Sequence, residues 1–180
     1  MIKFSILICH LNNRKEMLNN LLEILEPQVT SEVNIFIESD DREKTTGEKR
    51  NILLERADGE YVAFIDDDDE IEPFYVSEIL SAIEHSPDVV GMKGIYYQEG
   101  IYVGVFEHSI RHKGWSTVQR NCFLRCPNHL NPVKKELTLR VKFPKVTFAE
   151  DQDYSTRLYP LLKTEQFILK PIYHYYAGQK

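Results

Sequence analysis

The sequence predicts an α/β domain: a mainly parallel central sheet covered on both faces by helices, with a small β-hairpin. Three observations carry that reading. Short β-rich apolar runs alternate with segments of helical periodicity through the first half of the chain, the pattern of βαβ units. The runs at 2–8 (IKFSILI), 33–37 (VNIFI) and 61–65 (YVAFI) are almost unbroken, as expected of strands buried on both faces. Two of them stop at acids, Glu38-Ser39-Asp40-Asp41 and Asp66 to Asp69. Carboxylates are thereby set on one rim of the sheet, where open α/β sheets bind their ligands.

Ile2 to Ile8 makes the first strand, and Asn12 or Asn13 is placed to cap the next helix. From Arg14 to Glu26 the residues Met17, Leu18, Leu21, Leu22 and Leu25 share one helical face, and Pro27 stops it. After the second strand, Thr45 or Thr46 caps a helix from about Gly47 to Ala57, with Ile52, Leu53 and Leu54 inward. Asp58-Gly59 closes that helix with glycine in the left-handed position. Pro73 suits the first turn of a helix whose buried stripe is Val76, Ile79, Leu80 and Ile83. Asp88 to Met92 reads as a short strand, and Ile95–Tyr97 and Ile101–Phe106 flank Gln98-Glu99-Gly100 as a hairpin. Residues 107–144 are expected to form a long active-site loop, with a strand near Asn121 to Leu124 and a short helix around Pro132 to Leu137. A helix carrying Tyr154, Leu158, Leu161 and Leu162 follows Phe148 to Asp153. A last strand over Gln166 to Leu169 and an aromatic tail, Pro171 to Tyr176, complete the chain.

At 180 residues the chain suits one domain with a real core. Its 42% apolar and 28% charged content is that of a soluble globular protein. A net charge of −6 argues against nucleic acid as partner. No apolar run approaches the ~18–20 residues of a membrane span. The N-terminal MIKFSILICHLNN has no small-residue cleavage site, so it reads as a strand rather than a signal peptide. The three cysteines are an odd number, and Cys122, Cys126 and His129 would supply only three of the four ligands of a structural zinc site. The expectation is a cytoplasmic protein with reduced thiols.

Four consecutive acids at the tip of a buried strand are costly. Two unit charges ~4 Å apart repel by about 1 kcal/mol in water and about 4 kcal/mol at an effective dielectric constant near 20, so the run needs either a cation or water. An EF-hand is excluded by spacing: counted from Asp66, the glycine position is Ile71 and the bidentate glutamate position is Ser77. With Arg50-Asn51, Ala57 and Gly59 upstream, the stretch KRNILLERADGEYVAFIDDDDEIEP resembles the donor-site segment of family 2 glycosyltransferases. Their GT-A fold is Rossmann-like, and their DXD motif ends the strand after an RN…A-G helix. The resemblance covers most of the chain and is strongest over 2–25, 47–74 and 148–176.

That resemblance implies metal-dependent transfer of a sugar from a nucleotide-diphosphate sugar, UDP-sugars first, to an acceptor hydroxyl by an inverting route. Residues 1–94 would form the nucleotide-sugar-binding half of a single domain and 95–180 the acceptor half. Asp66-Asp67-Asp68 matches the DXD motif, with Asp68 as the carboxylate for Mn²⁺ or Mg²⁺, Asp66 nearer the ribose, Asp67 within the donor site and Asp69 in support. Glu150-Asp151 matches the xED motif, Asp151 as general base. His174 matches a C-terminal histidine that completes metal coordination. Lys49 and Arg50 stand where cations meet the nucleotide, and Glu38 or Asp40 where an acid reads the base. His10 and Asn12 belong to the same donor site, although Cys9-His10-Leu11-Asn12 departs from the family's Pro-Thr-Tyr-Asn and lacks its aromatic. Asn128, His129 and Asn131 are the expected polar contacts to the acceptor, a glycan being the leading class.

Two other readings stay open at this level. A sugar-phosphate nucleotidylyltransferase of the same fold would carry a Gly-rich loop after its first strand, where this chain has no glycine before Gly47. A non-catalytic sugar- or metal-binding module would keep the fold without turnover, with ten Tyr, nine Phe and Trp115 for stacking.

Overall fold

The structure, a computed structural model, describes residues 1–115 and 117–178. In chain order the first half contains β1 (Phe4–Leu11), α1 (Lys15–Leu25), β2 (Val33–Asp40), α2 (Thr46–Arg56), β3 (Tyr61–Phe64), β4 (Glu70–Ile71) and α3 (Tyr75–Ile83). The second half adds β5 (Val89–Gln98), β6 (Ile101–His108), β7 (Thr117–Gln119), β8 (Cys122–Arg125), β9 (Val133–Lys134), α4 (Lys135–Val141), α5 (Glu150–Leu158) and β10 (Glu165–Ala177).

The α/β expectation is met. β1 lies between β2 and β3, parallel to both. Side chains alternate between the two faces of a strand, and here both faces are covered. Phe4, Ile6, Ile8, Tyr61, Ala63 and Ile65 pack with Leu21 and Leu25 of α1 and with Tyr75, Val76 and Ile79 of α3. Leu7, Val62 and Phe64 pack with Leu53 and Leu54 of α2, Leu137 of α4 and Tyr154 and Leu158 of α5. Each fully buried aliphatic or aromatic side chain contributes about 1.5–3 kcal/mol, so neither face could go polar cheaply. The runs are therefore apolar almost throughout, with Lys3, Ser5 and Asn34 the exceptions. Beyond β3 the sheet continues through β9 to β5, β6, β8 and β7, with antiparallel pairs entering at β9. β10 runs parallel to β5 and antiparallel to β4, so the last strand brings the chain back beside the acidic turn.

Local chemistry explains several boundaries. Thr45 closes a capping box at α2: its Oγ1 accepts from Glu48 N at 3.2 Å, and Thr45 N donates to Glu48 Oε2 at 3.0 Å. Such a cap is worth about 1 kcal/mol. The hairpin between β5 and β6 turns on Glu99 (φ 52°) and Gly100 (φ 77°), two successive left-handed residues whose twist matches the flanking strands.

Four expectations are corrected. Asn12 and Asn13 do not cap α1; with Arg14 they form a 3₁₀ turn that leads into it. Gly59 is not left-handed; it is needed because a Cβ there would lie 2.6 Å from Ser5 N of the neighbouring strand. Val133–Lys134 is a strand rather than the start of a helix, since Val133 bridges Val62 of β3 and Val89 of β5. The aromatic tail is part of β10, which crosses Pro171 by a register irregularity against β5 and so continues where a regular ladder would break. Among the described residues, no helix is long and apolar enough to cross a membrane.

Candidate functional site

The acidic run forms a turn, Asp69 N donating to Asp66 O at 3.1 Å, and the turn gives its four carboxylates different surroundings. Asp67 and Asp69 are buried, at 4% and 3% exposure, so neither is the solvated charge that an acidic run usually means. Asp67 is held by His10 Nδ1 at 2.9 Å and by Arg14 Nη1 at 3.0 Å. Asp69 accepts from Tyr173 OH at 2.8 Å and from Tyr176 N at 2.7 Å, which fastens β10 to the turn. Burial, then the charge on Asp66, keeps the Asp69 carboxyl well above the ordinary range against those two bonds. Asp66 and Asp68 reach the open side of the turn.

Asp66 is the junction of the site. Its Oδ1 accepts from Arg50 Nη2 at 3.1 Å, and its Oδ2 lies 3.2 Å from His129 Nε2. Burial alone would raise its pKa, but His129 and Arg50 outweigh burial and hold the carboxyl below the ordinary range. Arg50, on α2, is itself buried between the rings of Phe64 and Phe143, 5.5 and 5.3 Å from its guanidinium carbon. Its Nη1 lies 3.3 Å from Glu150 Oε1 at the start of α5. One guanidinium therefore links the end of β3 to the helix that carries Asp151. Among the described residues Asp68 has a single cationic neighbour, Arg14 Nη1 at 3.2 Å. Burial and then the charges of Asp66 and Asp67 push its carboxyl up to about 6, against Arg14.

Two cavities open on this junction and share Arg50, Asp66, Thr147, Phe148 and Tyr175 as a wall. The larger, about 720 Å³, is lined by Arg14, Arg42, Lys44 and Lys49 beside Asp67 and Asp68. Cations in number with a few acids suit a polyanion such as a diphosphate. The smaller, about 260 Å³, contains Glu150 and Asp151, with Asn128, His129 and a wall of Tyr96, Phe106 and Phe123. A carboxylate there has room to take a proton from a hydroxyl beside whatever fills the larger groove.

The whole span from residue 8 to residue 152 matches the family model described as Glycosyl transferase family 2. The chain belongs to glycosyl transferase family 2. Among curated relatives of this family 2 chain is EpsH of Bacillus subtilis (strain 168), named as a glycosyltransferase, 26% identical over 149 residues. That match takes in 72% of the present chain and 41% of EpsH. The fold is shared with TarS of S. aureus: the 1–349 fragment in complex with UDP superposes with a TM-score of 0.74 at 19% identity, over 98% of this chain and 61% of that one. The same fragment with UDP-GlcNAc gives 0.74 at 18%, over 99% and 60%. The GT-A expectation is met, and the chain spans about two fifths of EpsH and three fifths of the TarS fragment.

Within this family 2 site, the residues singled out in the sequence divide into three groups. Asp66, Asp67, Asp68, Lys49, Arg50, Glu150, Asp151, Asn128 and His129 all line one cavity or the other. His10 and Asp40 stand behind the wall: His10 holds Asp67, and Asp40 holds Lys49 Nζ at 2.8 Å, with the backbone oxygen of His10 accepting from the same ammonium at 2.8 Å. Asn12, Glu38, Asn131 and His174 are not brought to the site. Asn12 lies in the 3₁₀ turn. Glu38 is taken by Arg56 at 3.0 Å and Lys44 at 3.4 Å. Asn131 braces its own turn, accepting from Asn128 N and donating to Val90 O.

His174 is the main correction. Strand alternation sends Tyr173 and Tyr175 toward Asp66 and turns His174 away. Its Nε2 meets Glu72 Oε1 at 2.9 Å, and its ring stacks on Tyr97 at 6.1 Å. Sequence reasoning also passed over Tyr173, Tyr175, Arg14 and Phe148. For the first two, alternation along a strand groups them on one face, but the irregularities of β10 around Pro171 decide which face that is. Phe148 carried a usable signal, as a large apolar residue directly before the xED acids, and it stands 87% exposed at the mouth of both cavities.

Proposed function

We propose that this family 2 chain moves a sugar from a UDP-sugar to an acceptor hydroxyl, with inversion and with Asp151 as the general base. The observation that carries the reading is the Asp66–Arg50–Glu150 link, which ties a cation-lined groove to the cavity containing Asp151. The UDP and UDP-GlcNAc complexes of TarS support the choice of donor.

In this reading Arg14, Lys49 and their neighbours face the diphosphate, while Asp66 lies at the ribose side. A donor in the groove presents its anomeric carbon at the shared wall. An acceptor hydroxyl in the smaller cavity attacks that carbon as Asp151 takes its proton. Glu150 stays engaged with Arg50 and fixes the start of α5, so Asp151 is positioned without itself bearing the ion pair. Asp153 does not compete for the role, because it is paired with Arg157 on the far side of the helix.

The residues fit Mg²⁺ or Mn²⁺. Asp68, with Asp66 beside it, offers hard oxygen ligands on the open side of the turn, and neighbouring negative charge already disfavours ionised Asp68. No cluster of three or more His, Cys, Asp or Glu able to hold a metal occurs among the described residues. Mg²⁺ is commonly held by one or two carboxylates plus substrate phosphates rather than by an all-protein cage. A bound divalent ion would neutralise charge on the departing diphosphate.

The test is UDP release from a panel of UDP-sugars with Mn²⁺ and candidate acceptors. Asp151→Asn should keep donor binding and lower transfer by ~10²-fold or more, the scale of a general base. Full activity in that variant would remove Asp151 from the role.

A further inference from the structure

The smaller cavity contains two guanidinium groups, and only one of them has a carboxylate beside it. Arg50 is ion-paired with Asp66 and Glu150, although its Nε and Nη1 make no hydrogen bond. Arg125, at the end of β8, has no carboxylate within 4.0 Å among the described residues, and its Nε is buried with no hydrogen-bond partner. Its guanidinium carbon lies 5.1 Å from the ring of Trp115, a contact that steadies the group but supplies no acceptor. Arg50 Nε and Nη1, Tyr75 OH and His129 Nδ1 are buried without a partner as well; what sets Arg125 apart is a guanidinium lining the cavity with no carboxylate beside it among the described residues, a group open to pairing with an incoming oxyanion.

The surroundings narrow the ligand. Tyr96 stands between Phe123, 4.8 Å away edge-on, and Tyr175, 5.5 Å away, giving an aromatic wall suited to the C–H face of a sugar ring. His108, opposite Arg125 across the β6–β8 pair, is buried, and burial followed by the Arg125 charge pushes it down to about 3. It stays neutral, which leaves Arg125 as the positive charge of this wall. Asp66, Glu150 and Asp151 line the same cavity, the first two paired with Arg50 or His129. The cavity thus holds both a carboxylate able to accept a proton and a guanidinium without a carboxylate partner.

We propose that the acceptor is anionic, with a carboxylate or phosphate on or beside the sugar that receives the transfer, and that Arg125 reads that group. This rests on the transferase reading above. A guanidinium makes two parallel bonds to either anion, so the shared chemistry is an oxyanion and the experiment separates its sources.

The experiment measures Mn²⁺-dependent transfer from UDP-glucose, UDP-GlcNAc and UDP-glucuronic acid to methyl glucoside, methyl glucuronide and methyl glucoside 6-phosphate. Wild-type protein is expected to favour one charged glycoside over the neutral one by roughly tenfold or more in kcat/KM, the scale of a charge-assisted hydrogen bond. The favoured arm tells carboxylate from phosphate. Arg125→Gln should bring the charged-to-neutral ratio near one, and Arg125→Lys should restore part of it. No preference in the wild type, or a preference that survives in Arg125→Gln, overturns the proposal. So does use of UDP-glucuronic acid alone with all glycosides equal, which would give Arg125 to the donor. If no UDP-sugar is turned over, the transferase reading fails, and calorimetric titration of the same glycosides decides: tighter binding of a charged one that Arg125→Gln abolishes upholds the anion site, and equal binding overturns it.

Discussion

Removing a charge from the proposed metal carboxylate should make the protein more stable and less able to bind its ion. Asp68 is pushed from its ordinary 3.8 up to about 6, by burial first and then by Asp66 and Asp67. At neutral pH that difference corresponds to about 3 kcal/mol against the ionised form. About a fifth of the side chain is open to water (19%), and screening there reduces the figure to about 1–2 kcal/mol. The folded pKa is the higher one, so the folded state holds the proton more tightly than the unfolded chain. Stability of the metal-free protein therefore declines as pH rises from about 4 to about 6, and the cost is fully present above that. Asp68→Asn removes it, while Arg14 keeps its bond to Asp67 Oδ1 at 3.0 Å. In EDTA at pH 7 the variant should melt about 2–8 °C higher, at 2–4 °C per kcal/mol for a chain of this size. The gain should shrink toward pH 4. In Mn²⁺ with UDP the order should reverse, since only the wild type gains from the ion. Differential scanning fluorimetry across that grid is the assay. An Asp68→Asn protein that melts lower in EDTA at pH 7, or that still gains from Mn²⁺ with UDP, would refute the reasoning.

Other substitutions test other parts of the site. Asp69→Ala strands Tyr173 OH and Tyr176 N and should cost about 2–4 kcal/mol in urea unfolding, whereas Asp69→Asn, which keeps an acceptor, should cost much less. Arg50→Ala leaves Glu150 without its cation and Asp66 with His129 alone, a loss of about 3–5 kcal/mol with donor binding abolished. Calorimetry with UDP and Mn²⁺ checks the second effect. His174→Ala should leave the Mn²⁺ dependence of UDP binding as it is, because Glu72 and Tyr97 hold that ring away from the acids; a tenfold weaker ion would restore the ligand reading. Gly59→Ala should cost about 1–3 kcal/mol in thermal melts, from overpacking against Ser5 rather than from backbone conformation.

What could be read in the sequence follows from how local each constraint is. β1 and β3 are buried on both faces and β2, at the sheet's edge, is half-buried on both, so their composition alone declares them. The capping box at Thr45 and the Glu99-Gly100 turn are short-range chemistry and were readable for the same reason. In the region from 107 to 144 the strand expected near Asn121 to Leu124 is present as β8, Cys122–Arg125, whereas β7 and β9, three and two residues long, were not readable. Strands that short exist through partners far along the chain, such as Val133 against Val62 and Val89. The site shows the same division. Motif order located the Asp66 turn and the start of α5, but the side on which His174 falls depends on irregularities in β10 around Pro171. A one-residue shift of a strand exchanges its faces, and nothing local in PIYHYY fixes that parity.

Arg50 explains why the acidic turn and α5 act as one unit although 84 residues separate Asp66 from Glu150. A buried guanidinium with one carboxylate would leave the second side of its fork unmatched. With two it holds both the floor of the groove and the helix start, and Phe64 and Phe143 exclude water from its faces. A lysine could supply the charge but not two directions at once. In the proposed reading, donor groove and base cavity are therefore aligned by a single rigid side chain, and a displacement of either element by about 1 Å would misplace Asp151 relative to the donor. Misplacement on that scale is enough to cost ~10²-fold in rate. Arg50→Lys should accordingly lose transfer far more than it loses stability, which sets Arg50 apart from the Asp69 clasp, whose loss should unfold the protein first.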